Sequence, residues 1–294
     1  MNKQIPSHII PFLKWPGGKR SLVPYFQELL KGATFNHYFE PFLGGGAVFF
    51  GLRPVKATLS DVNEDLINTY VQVKWRPYTL IRELKNMPVN KEYYCNLRVT
   101  VPYRKIAKAV RFLYLNRTAF AGMYRLNKQG HFNVPFGGGE RTPSRLWDDK
   151  LLAKASQTLK NAKIVCQDFE SAIRGARSGD LVYCDPTYTV THNNNGFIRY
   201  NENNFSWSDQ ERLAHVAREM VGEGVTIIVS NAFHHEIRDL YSTAETHVLE
   251  RMSSLCPDTN KRRITNEYLF VLRPKTKSIR RKFAQRSHAG LLTR

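Results

Sequence analysis

An open α/β sheet with helices on both faces, carrying one inserted block that is mainly helical and ends in a β-hairpin, is the fold class this sequence predicts. Three observations predict it. Six short apolar runs of strand length recur along the 294 residues, and helical patterns separate several of them. Residues 68–139 then break that alternation with consecutive helical patterns. A content of 42% hydrophobic and 12% aromatic residues is enough to bury a core of that size.

The strand candidates are residues 37–42, 57–60, 163–166, 180–184, 225–230 and 268–272, each a continuous apolar run of the kind found in parallel strands covered on both faces. The clearest helix spans 207–222. Ser208 and Glu211 are spaced for a capping box, Leu213, Val216, Ala217 and Met220 fall on one face, and Gly222 or Gly224 ends it. Within the inserted block, 78–86 and 104–117 read as helices, and 122–136 reads as a hairpin around Asn127-Lys128-Gln129-Gly130. The chain thus divides into a sheet domain of residues 1–67 and 140–274, an insert of 68–139, and a basic flexible tail, 275–294, without apolar periodicity.

The net charge is +19, from 44 Lys and Arg against 25 Asp and Glu, which argues for a polyanionic partner. The tail carries seven of those basic residues, so the body remains basic at 37 against 25. The four cysteines, at 95, 166, 184 and 256, form no C-x-x-C pair and suggest neither zinc nor a disulfide framework. Cys166 and Cys184 lie in apolar runs and are expected to be buried thiols. His234 and His235 lack further ligands at metal spacing, so no metal is expected, and they read instead as a helix start or a DNA-facing edge. The N-terminus has no apolar core of signal-peptide length, and no stretch reaches membrane-spanning length. The expected setting is a reducing, cytoplasmic one with no membrane partner. Oligomeric state is left open, a monomer being compatible with the sequence.

Two segments carry the chemistry. The first is Phe39-Glu40-Pro41-Phe42-Leu43-Gly44-Gly45-Gly46, which follows a strand and opens a helix. Its glycines permit a tight turn and close approach of a ligand to the backbone. The next strand ends at Asp61, and an acid there is placed to bind both hydroxyls of a ribose. Together they suggest a cofactor containing a nucleoside, without specifying which one; an ordinary tight β-α turn has the same pattern. A second glycine-rich element, Phe12-Leu13-Lys14-Trp15-Pro16-Gly17-Gly18-Lys19, resembles a P-loop only superficially. Gly18-Lys19 would need glycine at position 13, which is Leu13, so no nucleoside triphosphate is implied.

The second segment is Asp185-Pro186-Thr187-Tyr188, where an apolar strand stops at an acid, a rigid proline and an aromatic ring. Open α/β sheets hold their chemistry at such strand ends. An exocyclic amine on a nucleobase has its lone pair delocalised into the ring and attacks a methyl sulfonium poorly. The Asp185 carboxylate and the Pro186 carbonyl can accept its two N–H groups, orient the nitrogen and stabilise its growing positive charge. Pro186 has no N–H to compete. Tyr188 can stack on a base that has left the duplex. Taken alone, the tetrapeptide also fits a strand-ending turn, since Asp and Pro are common turn residues.

Ordered along residues 11–272, these segments resemble the Dam family of DNA adenine N6-methyltransferases. FLKWPGGK (12–19) is similar to the family's N-terminal cofactor motif, EPFLGGGAVF (40–49) to its glycine loop, and SDVNEDL (60–66) to its second-strand acid. FLYLNR (112–117) and RLNKQGHFNVPFG (125–137) are similar to its recognition region, and Asp185–Tyr188 to its D-P-P-Y motif. Residues 197–206 and Ser230-Asn231 also correspond. The resemblance implies a Rossmann-like S-adenosylmethionine methyltransferase sheet and a DNA-recognition insert. It places Trp15, Lys19, Phe39, Glu40, Pro41, Gly44, Gly46, Asp61, Asp168, Phe169 and Asp185 around the cofactor. Asp185, Pro186 and Tyr188 would be catalytic. Lys14, Phe120, Arg125, Asn133 and Pro135 would meet double-stranded DNA, with Lys14 and Arg125 reading guanines of a GATC site. Three departures stand out. Thr187 replaces a proline, Phe120-Ala121 replaces Tyr-Asn, and Gly137-Gly138-Gly139-Glu140 replaces a basic stretch.

The expected reaction is transfer of a methyl group from S-adenosylmethionine to N6 of a flipped adenine. Cytosine N4 methylation uses the same amine chemistry, and the tetrapeptide does not separate the two. A basic DNA-binding homologue with a silent cofactor site is the alternative outside enzymes. Methylation of RNA or of a glutamine side chain fits less well, the latter because Asp185 rather than Asn opens the motif. Two polar runs stand beside these segments. Asn193-Asn194-Asn195-Gly196 is placed to close over a flipped base or to form a plain surface loop. Lys261-Arg262-Arg263 is placed to meet phosphates or solvent.

Overall fold

A computed structural model describes residues 10–275 other than 16, 128, 140–141, 189–204 and 253–263. The 193–196 run, most of 197–206, the 261–263 run, Cys256 and residues 276–294 therefore lie outside the described residues.

The centre is one seven-stranded sheet in the order β3-β2-β1-β4-β5-β7-β6, where β1 is Tyr38–Glu40, β2 Ala57–Asp61, β3 Ala162–Cys166, β4 Leu181–Cys184, β5 Thr226–Ala232, β6 Glu245–Met252 and β7 Ile264–Leu272. Strands β1 to β5 run parallel, and β7 is antiparallel to both β5 and β6. The chain steps outward from β1 through β2 to β3, then returns to the other side of β1 for β4. That reversal makes the β1/β4 boundary the switch point, where such sheets hold ligands.

Alternate strand residues feed two cores, one on each face. Leu181, Tyr183, Ile228, Leu269 and Val271 face one, and Val182, Cys184, Ile227, Val229, Phe270 and Leu272 face the other. The first is covered by helices Glu64–Trp75, Pro77–Lys85 and Lys105–Thr118, which contribute Leu66, Tyr70, Leu80, Leu84, Leu113 and Tyr114. The second is covered by helices Phe169–Arg174 and Trp207–Gly222. All six strand candidates form strands. The 122–136 hairpin is present as two antiparallel bridges, Ala119 with Phe136 and Leu126 with Phe132, rather than as continuous strands.

Three expectations are corrected. Strand β6 is additional: it is an edge strand paired only with β7, and its polar alternation, with Val248 51% exposed, does not read as a strand buried on both faces. The capping box of helix Trp207–Gly222 joins Ser206 and Asp209, not Ser208 and Glu211, because the helix begins at Trp207 and Asp209 occupies its third position. Cys166 is exposed rather than buried, since β3 is the opposite edge of the sheet; Cys184, on central β4, is buried as expected.

Ala121 adopts a left-handed backbone, φ 52°, a conformation that L residues other than Asn and Asp seldom take. Ala121→Asn is expected to raise the unfolding free energy by about 0.5–1 kcal/mol. Denaturant titration checks this, and an unchanged or lower midpoint would contradict it.

Candidate active site

The carboxyl ends of β1, β2, β3 and β4 open into a cavity of about 550 Å³. Its wall takes Glu40 and the glycine turn from β1, Asp61 from β2, Asp168 and Phe169 after β3, and Asp185 to Tyr188 after β4. Trp15, Gly17 and Lys19 close it from the N-terminal segment, and Tyr124 and Leu126 from the hairpin. The cavity falls at the switch point, as the strand order requires.

The glycine turn is shaped by its neighbours. Gly44 and Gly46 have φ of 45° and 66°, open only to glycine without strain. A Cβ on Gly44 would stand 2.8 Å from Trp15 Nε1, and one on Gly45 2.9 Å from Trp15 Cβ, so the indole lies directly against the turn. Trp15 in turn stacks on Tyr124 at 5.4 Å. Asp61 Oδ2 accepts the Gly44 amide at 3.1 Å and Oδ1 accepts the Asn63 amide at 3.0 Å. Burial pushes the Asp61 carboxyl up, and these backbone donors oppose the rise. The N-cap of the following helix is Asn63, which leaves Asp61 lining the cavity rather than capping.

An aromatic wall stands opposite. Phe42 stacks on Phe169 at 5.3 Å, and Phe205 meets both rings. Arg212 lies 4.2 Å from the Phe169 ring centre and binds both oxygens of Asp168 at 3.1 Å. The fork-like guanidinium thus fixes the Asp168 carboxylate beside the ring.

Asp185 is held by a set of buried partners. Its Oδ1 is 2.9 Å from Lys19 Nζ and accepts the Ser230 hydroxyl at 2.8 Å. Burial pushes its carboxyl up; the Lys19 ammonium opposes this, and Glu267 adds to the rise. Lys19 also donates to the Tyr188 hydroxyl at 2.9 Å, and that hydroxyl donates to Glu267 at 2.8 Å. The loop is backed by Gln210, whose amide reaches the Thr187 carbonyl at 3.5 Å and whose oxygen accepts from Asn231 at 2.9 Å.

Glu40, 2% exposed, accepts the Tyr38 hydroxyl at 2.6 Å. Burial pushes its carboxyl to about 8, with the Tyr38 hydrogen bond opposing and Asp185 adding to the rise. The unfolded chain then binds fewer protons at this group than the folded one, so its contribution to stability falls as pH rises from about 4.5 to about 8. Glu40→Gln cannot ionise. Its melting temperature is expected to gain on that of the unmodified chain across this interval; a pH-independent difference would contradict the assignment.

The expected DNA-facing residues also gather. The Lys14 backbone is clamped by Asn116 at 2.9 and 2.7 Å, and its side chain packs on Gly122. Arg125 donates to Asn133 at 2.8 Å, and the Phe120 amide donates to the Pro135 carbonyl at 2.9 Å. Every expected site residue is therefore placed in the cavity wall or in this adjoining patch, except Phe39, whose ring packs into the second core beneath the cavity. The structure adds Glu267, Arg212, Phe205 and Tyr70, which donates to the Gly44 carbonyl. Glu267 had one sequence signal: it falls in phase with the core-facing Leu269 and Val271, where a charge needs a reason.

The lining also tests which cofactor fits. It combines the carboxyl groups of Glu40, Asp61, Asp168, Asp185 and Asp209 with the cations of Lys19 and Arg212. Such a lining disfavours a pyrophosphate and suits a nucleoside carrying a cationic centre. The volume, the acid beside the glycine turn and the aromatic wall meet the other requirements of S-adenosylmethionine.

Comparison with known proteins gives the same direction. A family model described as D12 class N6 adenine-specific DNA methyltransferase matches residues 15–255. A type II methyltransferase of Lactococcus lactis subsp. cremoris is 39% identical over 250 residues, covering 82% of this chain and 87% of that protein. A type II methyltransferase of Methanocaldococcus jannaschii is 35% identical, covering 76% and 84%. A DNA adenine methylase of Serratia marcescens is 34% identical, covering 89% and 98%.

Proposed function

Because the chain belongs to the D12 class of N6 adenine-specific DNA methyltransferases, we propose that it moves the methyl group of S-adenosylmethionine to N6 of an adenine flipped out of double-stranded DNA. The observation that carries this reading is the placement of Asp185 and Pro186 at the carboxyl end of β4. They stand beside the glycine turn and Asp61 across the switch point, in one acid-rich cavity.

Bound S-adenosylmethionine supplies an electrophilic methyl on a cationic sulfur. Asp61 accepts hydrogen bonds from the ribose hydroxyls while its backbone bonds hold the turn. Phe169 and Asp168 take the adenine side of the cofactor, with Arg212 fixing the carboxylate. Asp185 and the Pro186 carbonyl accept the two N–H groups of the target amine, and Asp185 stabilises the positive charge that grows on its nitrogen. Tyr188 stacks on the extruded base. Thr187 leaves both acceptors in place, so activity survives the loss of the usual proline.

Residues 68–139 form the recognition region in this reading. Lys14 and Arg125 read guanines, Phe120 wedges between bases, and Asn133 and Pro135 complete the contact. The correspondence of Lys14 and Arg125 to guanine-reading residues makes GATC the candidate site. The test is transfer of labelled methyl from S-adenosylmethionine to duplex oligonucleotides with and without GATC. Label is expected in the duplex that contains GATC and not in the one that lacks it. No transfer to any duplex, with cofactor binding intact, would support the silent DNA-binding alternative instead.

A further inference from the structure

Glu267 is an acidic side chain in the Lys19–Asp185 cluster that has no task in the reaction as proposed. It lies on β7 opposite Ala232 and is 1% exposed. Its Oε2 accepts the Tyr188 hydroxyl at 2.8 Å and stands 3.5 Å from Lys19 Nζ. Lys19 is 2.9 Å from Asp185 Oδ1 on its other side. One carboxylate just after β4 and one on β7 therefore share one ammonium, and the Tyr188 phenol joins that cluster. Burying a carboxylate carries a desolvation cost. The neighbouring core-facing positions of β7, Leu269 and Val271, are apolar, so packing alone does not call for a charge there.

Resting on the methyl-transfer reading, we propose that Glu267 is a positioning residue for the reaction: it fixes the Tyr188 ring by its hydroxyl and draws Lys19 away from exclusive pairing with Asp185. Without Glu267, Lys19 closes on Asp185 alone, and the pair presents little negative potential to the amine that must become cationic. With it, the cluster carries two carboxylates against one ammonium, and Asp185 meets the amine as a stronger acceptor. Lys19 from the glycine-rich turn, Glu267 on β7, Glu40 on β1, Tyr183 and Cys184 on β4 and Tyr188 after it are titratable groups around Asp185, and Ser230 on β5 adds an uncharged donor. Of these, Lys19 and Ser230 favour the ionised Asp185 and Glu267 opposes it. Replacing Glu267 by a neutral isostere therefore lowers the pH at which Asp185 ionises.

Wild-type transfer to duplex DNA is measured first; its absence overturns the functional reading and this proposal together. Given transfer, Glu267→Gln in the full chain is expected to lower kcat by about 10- to 100-fold, less than loss of a group touching the reacting nitrogen, with KM for DNA and cofactor nearly unchanged. The acid limb of its kcat–pH profile is expected to move to lower pH, and Glu267→Asp to recover part of both effects. A normal kcat, or a lower melting temperature with an unmoved acid limb, overturns the proposal while leaving the functional reading intact. Should Glu267→Gln not fold, Tyr188→Phe keeps the ring and removes its bond to Glu267. A fall in kcat with an unmoved acid limb is then expected, and an unchanged kcat overturns the proposal.

Discussion

Asp185→Ala is expected to lower kcat by at least about 10³-fold while duplex DNA affinity stays within a few-fold. In the proposed reaction the carboxylate meets a nitrogen that becomes positive only as the methyl moves. Its loss therefore falls on the transition state rather than on binding. Asp185 Oδ1 meets Lys19 and the Ser230 hydroxyl, and each keeps another partner without it: Lys19 has Glu267 and Tyr188, and Ser230 has Tyr183. The cavity accordingly remains folded. Asp185→Asn keeps the shape and one acceptor, so its loss should be smaller. Single-turnover kinetics with labelled cofactor, beside DNA binding by fluorescence anisotropy, check both. Turnover retained in Asp185→Ala would remove this residue from the chemistry.

Asp61→Ala is expected to weaken S-adenosylmethionine binding by about 10²-fold or more, with DNA binding unaffected. Hydrogen bonds to a charged acceptor contribute about 1.5–3 kcal/mol each, and two ribose hydroxyls would be lost. The same side chain also ties Gly44, the residue lying under Trp15. Removing it frees the turn as well as the acceptor. Isothermal titration measures the affinity, and Trp15 fluorescence reports the turn. A dissociation constant within three-fold of the parent value would place the cofactor elsewhere in the cavity.

How far the sequence discloses this molecule depends on how local each signal is. Strands β1, β4, β5 and β7 feed both cores, and with the shorter runs of β2 and β3 they stand out as apolar segments of strand length. Strand β6 is half-exposed at the sheet edge and shares its polar alternation with ordinary loops. The same edge effect exposes Cys166, whose apolar flanks are satisfied on one side only. At the start of helix Trp207–Gly222, Ser206 and Ser208 are equally good caps by sequence, and the bond between Asp209 and Ser206 decides for the first. In the site, Asp61 and Asp185 are legible because each ends a strand and sits in a short motif. Glu267 and Arg212 are not. Their partners, Lys19 and Asp168, lie far away in sequence, and only the β5–β7 pairing and the packing of helix Trp207–Gly222 bring them together. Ala121 shows the converse: its residue type is unremarkable, and its left-handed backbone is set by the chain around it.

The most direct test of the central claim is base-resolved sequencing of duplex DNA treated with the purified protein and S-adenosylmethionine. The account predicts N6-methyladenine at one recurring short sequence, with GATC the expected site, and none after treatment with Asp185→Ala. Methyl groups found on cytosine N4, or no modified base while cofactor and DNA both bind, would contradict it.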